Sequence, residues 1–396
     1  MQPVGIVCEY NPFHSGHAHH LARTQAQGGG LLICCMSGNF VQRGDYALFP
    51  RHVRAEAAVR CGADLVVELP LPWAVASAPR FAAGAVHILA ACGCRTLSFG
   101  SECGDLSALL AARDVLSSAE YDCALRKALS GGASFASARA AAAQQLAGLG
   151  GLLANPNDNL AVEYLLAARR LCPDMQPLAI PRRGAGHDAP EASEGFSSAS
   201  ALRERLRAQP HCLPAEIPAP AAGVFSRAMA DGLGPVFSEH VSAAHMAQLR
   251  RLSPEDLSRL PDMGEGFEMR LHAAIRKAAH PAEAADLAKT RRVAHARVRR
   301  QLLSAYLGIT AADGAGLPPY ARILAFSERG RAHLASLRDC PIPLISKPAR
   351  HGLSGDAAAL FEKEALAADL YSLALPDSRH HSGGSSYRLS PVYVRD

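Results

Sequence analysis

The stretch Val4-Gly5-Ile6-Val7-Cys8-Glu9-Tyr10-Asn11-Pro12-Phe13-His14-Ser15-Gly16-His17-Ala18-His19-His20 decides how the rest of the chain is read. Val4–Cys8 is a short apolar run closed by a polar turn, the pattern of a strand buried on both faces. His17–Ala26 then reads as a helix that Gly28-Gly29-Gly30 brings to an end. In a strand–loop–helix unit the helix N-terminus offers unpaired backbone N–H groups and a positive dipole end to an anion. Asn11-Pro12 fixes the loop before the turn, and Gly16 leaves the backbone bare for close approach. His14 and His17 can both donate to phosphate oxygens and stabilise charge that builds when a phosphorus is attacked. An HxxH pair alone says little in a chain with 17 histidines; its place between a strand and a helix points to a nucleotide. Neither GxGxxG nor GxxxxGK[ST] occurs, which disfavours dinucleotide redox chemistry and P-loop hydrolysis.

Outward from this unit, strands and helices alternate. Leu31–Met36, Leu65–Leu69 and Thr96–Gly100 read as buried strands, with helices over Arg51–Cys61 and Phe81–Cys92. The alternation predicts an α/β fold, a doubly wound parallel sheet. Residues 105–172 read as mostly helical and Met175–Ile180 as a fifth strand. A loop over Pro181–Gly195 and a helix from near Ser198 follow. A first domain over 1–210 is expected, then a Pro/Ala-rich linker, Leu213–Gly223. A C-terminal, mostly helical domain is expected over 224–376. It would carry a basic helix at Leu287–Leu307 and short strands at Arg322–Leu324 and Pro343–Ile345. The polar tail 377–396 is expected to be flexible.

Composition narrows the class. With 396 residues, ~150 per domain suggests two or three domains. Hydrophobic residues at 49% give material for a sizeable core, which excludes a disordered chain. The net charge of +5 is too mild to prove a nucleic-acid partner. The 11 cysteines fall in irregular spacings such as Cys34-Cys35 and Cys92-Gly93-Cys94. They read as small core residues in a reducing compartment rather than as metal ligands or disulfides. No apolar run reaches ~18 residues and no leader is read at the N-terminus, so a cytoplasmic protein is expected.

The blocks that follow Gly5–His20 resemble one family in their order. They are Met36-Ser37-Gly38-Asn39-Phe40-Val41-Gln42-Arg43-Gly44, Arg54-Ala55-Glu56, Ala63-Asp64-Leu65-Val66-Val67-Glu68-Leu69-Pro70 and Phe99-Gly100-Ser101-Glu102. Pro156-Asn157-Asp158 with Glu163-Tyr164, Arg182–His187, Ser197–Arg203, Ala325–Gly330 and Pro341–Lys347 complete the series. Together they are similar to the tRNA(Met) cytidine acetate ligase family of the HxGH nucleotidyltransferase superfamily. The resemblance implies a Rossmann-like nucleotidyltransferase fold that activates acetate with ATP to acetyl-adenylate. The acetyl group would pass to the wobble cytidine of elongator tRNA(Met), giving N4-acetylcytidine. It implies ATP contacts at Val7, Cys8, Glu9, Tyr10, Asn11, Pro12, Phe13, His14, Ser15, Gly16, His17, Ala18, His19 and His20, and at Gly100, Asn157 and Arg182.

The residues themselves leave alternatives. Gly100 is either beside a ligand at a strand's carboxyl end or an ordinary strand-ending glycine. Asn157-Asp158 suits a helix N-cap as well as a ligand contact. Arg182 just past a strand can hold phosphate. Ser198, Ser200 and Arg203 at a helix start suit pyrophosphate, or a simple cap with an exposed arginine. Lys289, Arg291, Arg292, Arg297, Arg299 and Arg300 form a one-signed run that can track an RNA backbone or merely be solvated. Mg2+ is expected to arrive with ATP, held by phosphates, with no dedicated protein metal site. Two other functions fit the same residues: a small-molecule adenylyltransferase of the superfamily, and a non-enzymatic ATP-gated RNA-binding module.

Overall fold

The computed structural model describes residues 2–182, 198–264 and 266–395. Ten strands occur among them: β1 (Pro3–Cys8), β2 (Leu31–Ser37), β3 (Phe40–Val41), β4 (Asp45–Tyr46), β5 (Leu65–Leu69), β6 (Thr96–Ser101), β7 (Gln176–Pro181), β8 (Ala321–Phe326), β9 (Leu344–Ile345) and β10 (Val392–Tyr393). The main sheet runs β10-β8-β5-β2-β1-β6-β7, with β9 on β8. β1 pairs in parallel with both β2 and β6, so the connections reverse direction at β1. The carboxyl end of that strand is the crevice where open α/β sheets bind ligands.

Sequence period dictates how the sheet is buried. In β2, Leu31, Ile33 and Cys35 enter one core, while Leu32, Cys34 and Met36 enter the other. This is the two-residue alternation of a strand covered on both faces. The first core is closed by helices Ala78–Ala91 and Pro156–Leu171, the second by helices Arg51–Arg60 and Ala219–Ala230. Gly5 has a packing reason to be bare: a Cβ there would stand 2.9 Å from Leu89 Cδ1. All eleven cysteines are free thiols, and Cys34, Cys35, Cys92, Cys94 and Cys172 are buried.

The sheet is mixed rather than wholly parallel. β8 lies antiparallel to β5, with a register shift between Val66 and Val67. The expected boundary between 210 and 224 therefore cuts across one sheet, because strands from beyond residue 320 complete it. The intervening chain is helical, with its own core of Met246, Leu257, Phe267, Leu271, Ile275 and Leu302.

Three expectations need correction. The linker is shorter than Leu213–Gly223, since helix Ala219–Ala230 buries Ala221, Val224 and Phe225, with Phe225 stacked on Phe49 at 4.5 Å. The basic helix is two helices, Pro281–Ala288 and His295–Leu307. Thr290 Oγ1 accepts from the N–H groups of Arg292 (3.2 Å) and Val293 (3.0 Å), and this local turn competes with the helix. The tail is folded onto the body: β10 pairs with β8, and the fully buried Ser386 hydroxyl accepts from Arg51 Nη2 at 2.9 Å. Arg183–His187 and Ser197, quoted above, and most of the Pro181–Gly195 loop lie outside the described residues.

Candidate active site

The loop after β1 stands on an aromatic base. Tyr10, at φ 47°, and Phe13 are buried with rings edge-on at 4.8 Å, and both pack beneath His17. Helix Ser15–Gly28 then starts with a cap built from two imidazoles. His14 Nδ1 accepts from the Gly16 N–H at 3.0 Å, and His17 Nδ1 accepts from the His14 N–H at 3.2 Å. This is the reciprocal logic of a Ser/Glu capping box, carried out by histidines. The rings lie 3.8 Å apart, tilted 34°.

The cap fixes the protonation pattern. With Nδ1 accepting in each ring, the proton of each neutral imidazole resides on Nε2, which remains as the donor for a ligand. Burial drives His14 down to about 3, helped by the guanidiniums of Arg182 and Arg203. Burial also holds His17 well below its ordinary value, aided by His14, Arg182 and His20. His20 falls to about 4 for the same first reason, and its Nε2 is 3.0 Å from Ser98 Oγ. Both motif histidines are therefore neutral donors at physiological pH.

Gly16 has a second role besides the bare backbone it turns to the cavity. A Cβ there would meet His14 Cε1 at 2.8 Å and Nδ1 at 3.1 Å. The space above the first turn is taken by the His14 ring, and glycine is what lets the ring fold back.

Around this cap is a cavity of about 630 Å³. Val7, Cys8, Glu9, Tyr10, Asn11, His14, Gly16, His17, His19 and His20 line it, as do Gly100, Asn157 and Arg182. Pro12, Phe13, Ser15 and Ala18 do not; Phe13 is fully buried beneath the loop. Arg182 lies across Gly100, where a Cβ would stand 3.3 Å from its Cγ, and its Nη1 donates to Asn157 Oδ1 at 3.4 Å. Asn157 is not the N-cap, since helix Pro156–Leu171 is preceded by Asn155. Its backbone N–H donates to Glu102 Oε1 at 3.2 Å. Asp158, fully buried, ties down the loop after β6 by accepting from Ser101 Oγ (2.6 Å), Glu102 N–H (2.9 Å) and Cys103 N–H (3.1 Å). Three sites far apart in sequence thus meet through hydrogen bonds among their own loops.

Ser198 caps helix Ala199–Ala208 by accepting from the Ala201 N–H, and it lines the cavity. Arg203 also lines it, donating to Asn11 O at 3.1 Å and Ser200 Oγ at 2.9 Å; Ser200 itself is not a lining residue. Beneath, the buried Arg54 guanidinium donates to the carbonyls of Phe49 and Ser37 at 3.0 Å, and to those of Glu9 and Gly38. It locks the loops after β1 and β2 together. Sequence blocks contained Arg54 but gave no sign of these partners.

On the opposite wall stand residues not expected beside the loop, although Arg299 was expected in the basic run and Gln42-Arg43 in a family block. The β3–β4 hairpin and the start of helix His295–Leu307 supply Gln42, Arg43, His295, Ala296 and Arg299. The turn residue Gly44, at φ 75°, touches the helix backbone: a Cβ would meet Arg300 N at 2.6 Å. Arg299 Nη2 pairs with Asp45 Oδ2 at 2.6 Å. Glu9 faces this wall, its Oε1 accepting from the Gln42 N–H at 2.6 Å. Burial raises the Glu9 carboxyl, partly offset by that N–H and by Arg203, Arg54 and Arg43.

The basic run consequently splits. Arg299 belongs to the cavity. Arg297 donates to Asp262 O, and Arg300 is largely buried, which lowers its pKa. Lys289, Arg291 and Arg292 are exposed. Among the described residues no group of three or more His, Cys, Asp or Glu is placed to hold a metal ion, and no helix is long and apolar enough to cross a membrane.

Comparison with known proteins adds to this geometry. The sequence pattern described as HIGH Nucleotidyl Transferase matches residues 1–386. The tRNA(Met) cytidine acetate ligase of Syntrophotalea carbinolica is 38% identical over 95% of each chain. That of Acetivibrio thermocellus is 32% identical over 100% of each. The crystal structure of Thermotoga maritima TmcAL (apo, form I) matches with a TM-score of 0.94 over 100% of both chains at 29% identity. The same protein bound with alpha-thio ATP gives 0.92.

Proposed function

The chain belongs to the tRNA(Met) cytidine acetate ligase family, within the HIGH nucleotidyl transferases, and from that premise we propose how its cavity works. The enzyme is an ATP-dependent ligase that acts on tRNA. Its substrates are ATP, acetate and the wobble cytidine of elongator tRNA(Met), and its product is N4-acetylcytidine. It works in the cytoplasm. The observation that carries the reading is the His14–His17 cap, at the topological switch point of the sheet, opening into a cavity with two unlike walls.

The wall from β6 and β7 holds the adenosine beside Gly100 and Asn157. The phosphates lie over the helix start, between Arg182 and Arg203. An acetate oxygen attacks the α-phosphorus; a P–O bond forms to acetate as the bond to pyrophosphate breaks. The Nε2–H groups of His14 and His17 donate to the phosphoryl oxygens, where negative charge grows. Neutral donors suit this step, because they need not gain or lose a proton during it. In the second step the cytidine amine attacks the acetyl carbonyl, a C–N bond forms, and AMP leaves. Glu9, the one carboxylate among the described lining residues, is placed to accept the proton that the amine loses. Burial makes it a stronger base than an exposed glutamate.

Mg2+ enters as the counter-ion of ATP. A resident site would need several oxygen donors, carboxylates above all, whereas Glu9 is the one carboxylate among the described lining residues and already accepts from the Gln42 N–H. The exposed Lys289, Arg291 and Arg292 contribute to holding the tRNA backbone.

The test is incubation with labelled acetate, ATP and total tRNA, followed by digestion to nucleosides. Label in N4-acetylcytidine is expected. AMP transferred to a small phosphorylated acceptor instead, or ATP-dependent RNA binding without label, would replace this reading.

A further inference from the structure

Beyond the cavity, the 289–292 part of the basic run meets a segment that no motif marks. The turn between helices Ala119–Ser130 and Phe135–Ala147 contains Gly132, at φ 86°. A Cβ there would stand 3.3 Å from Arg292 Nη2. Three residues beyond Arg292, His295 lines the cavity. The turn that joins these two helices thus meets the 289–292 loop at Arg292.

Cations dominate the chemistry there, and the nearby exposed Asp286 carboxylate is engaged by His295 Nε2 at 3.2 Å. Arg126 and Lys127 on one side, and Lys289, Arg291 and Arg292 on the other, are all exposed. Among the described residues none of the five side chains makes an ion pair or hydrogen bond. Phe135 opens the second helix with 54% of its surface exposed, although Ser134 caps that helix properly and nothing in its packing requires an aromatic. An exposed aromatic ring among unpaired cations is unfavourable in water and suits a polyanion with flat faces.

We infer that this rim is an RNA clamp, in which Arg126, Lys127 and the 289–292 loop hold backbone phosphates while Phe135 stacks on a base next to the cytidine being modified. The inference rests on the ligase reading given above and adds its second jaw. A cytidine that enters the cavity must leave the stack of its own loop, which strips a neighbouring base of a partner. Phe135 replaces that partner. The chemistry is complementary, since phosphates flank every base and Phe135 stands three residues from the turn that meets Arg292.

The experiment measures binding of an elongator tRNA(Met) transcript to the full chain at several salt concentrations, with ATP binding by calorimetry alongside. Phe135→Ala is expected to weaken tRNA binding about ten-fold, the effect of losing one stacked base. Phe135→Trp, which keeps a π-face, is expected to bind tRNA within about three-fold of the parent. Arg126→Ala combined with Lys127→Ala should lower the slope of log K against log salt by about 1.5, near 0.7–0.9 per lost phosphate contact. Parent protein that binds tRNA, with all three variants matching it in affinity and salt slope, overturns the clamp and leaves the ligase reading intact. Parent protein that neither binds nor acetylates tRNA overturns both. If Phe135→Ala alters self-association in sedimentation but not tRNA affinity, the face is a contact between copies of this chain and the clamp is refuted.

Discussion

Replacing Gly16 by alanine separates what the glycine does for the ring above it from what it does for the helix. The new Cβ would stand 2.8 Å from His14 Cε1, against about 3.5 Å for a comfortable carbon contact, so the ring must retreat by about 0.7 Å. It cannot slide aside freely: Nδ1 is held by the Gly16 N–H at 3.0 Å, and the opposite face packs on His17 at 3.8 Å. The ring therefore swings out, and the cap bond breaks at a cost of about 1 kcal/mol. Alanine recovers up to about 1 kcal/mol over glycine within a helix. Net stability should consequently change little. Catalysis should not be spared, because a displaced His14 no longer presents Nε2–H to the phosphoryl oxygens. Losing one such donor costs about 3–4 kcal/mol, or roughly 10²- to 10³-fold in rate. The assay is acetate-dependent exchange of pyrophosphate into ATP, with a thermal melt of the same sample. Exchange within about three-fold of the parent would refute the reasoning, for it would mean that the ring position is not what the glycine protects.

Two further expectations follow from the same site. The folded chain holds His14 at about 3 and His20 at about 4, against about 6.5 when unfolded, so the unfolded chain binds more protons across that window. Stability should fall as pH drops below about 6.5, by up to about 1.4 kcal/mol per pH unit for each such histidine. Urea melts near pH 7 and pH 5 should show His14→Gln losing less stability than the parent, and equal losses would contradict the burial argument. Asp158→Asn replaces a carboxylate that accepts from four groups with an amide whose NH2 must face other donors. It should cost about 2–4 kcal/mol in folding and weaken ATP binding at least about ten-fold by freeing the loop at Glu102; calorimetry showing unchanged ATP affinity would argue against that coupling.

The legible part of this molecule is local. The apolar run of β2, the HxGH run after β1 and the strand–helix alternation can be read along the chain, because each depends on neighbours within a few residues. The wall from β6 and β7 was reachable only through its ordered blocks; Gly100, Asn157 and Arg182 meet through Glu102 and Asp158, pairings no spacing rule reveals. Arg54 illustrates the limit. Its four carbonyl partners belong to backbone, which carries no residue signature. The basic helix was misread for a local reason: Thr290 looks like any helical threonine until its hydroxyl takes two N–H groups from the helix ladder.

The wall built by the β3–β4 hairpin and helix His295–Leu307 explains why the sheet needs its C-terminal strands. Arg299 and His295 can face the histidine cap across the cavity only if their helix is held at a fixed distance from β1, and the hairpin contact at Gly44 leaves no slack. That distance is set far from the cavity. Arg51 Nη1 pairs with Glu68 Oε1 at 3.0 Å, Arg322 Nη1 donates to Ser386 O at 3.3 Å, and Glu364 accepts from the Leu71 N–H and the Tyr320 hydroxyl, each at 2.6 Å. All of these groups are buried. Buried ion pairs contribute little net stability, since desolvation offsets most of the attraction, but breaking one partner is costly. Such a network tolerates one arrangement of its elements and penalises the rest. Here it joins the helix Arg51–Arg60, the β5 and β8 strands, the helix Gly355–Ser372 and the tail into one unit. The chain that carries the hairpin-side wall is thereby registered against the strand that carries the histidine cap, and the ion network determines the width of the gap between the two walls of the cavity.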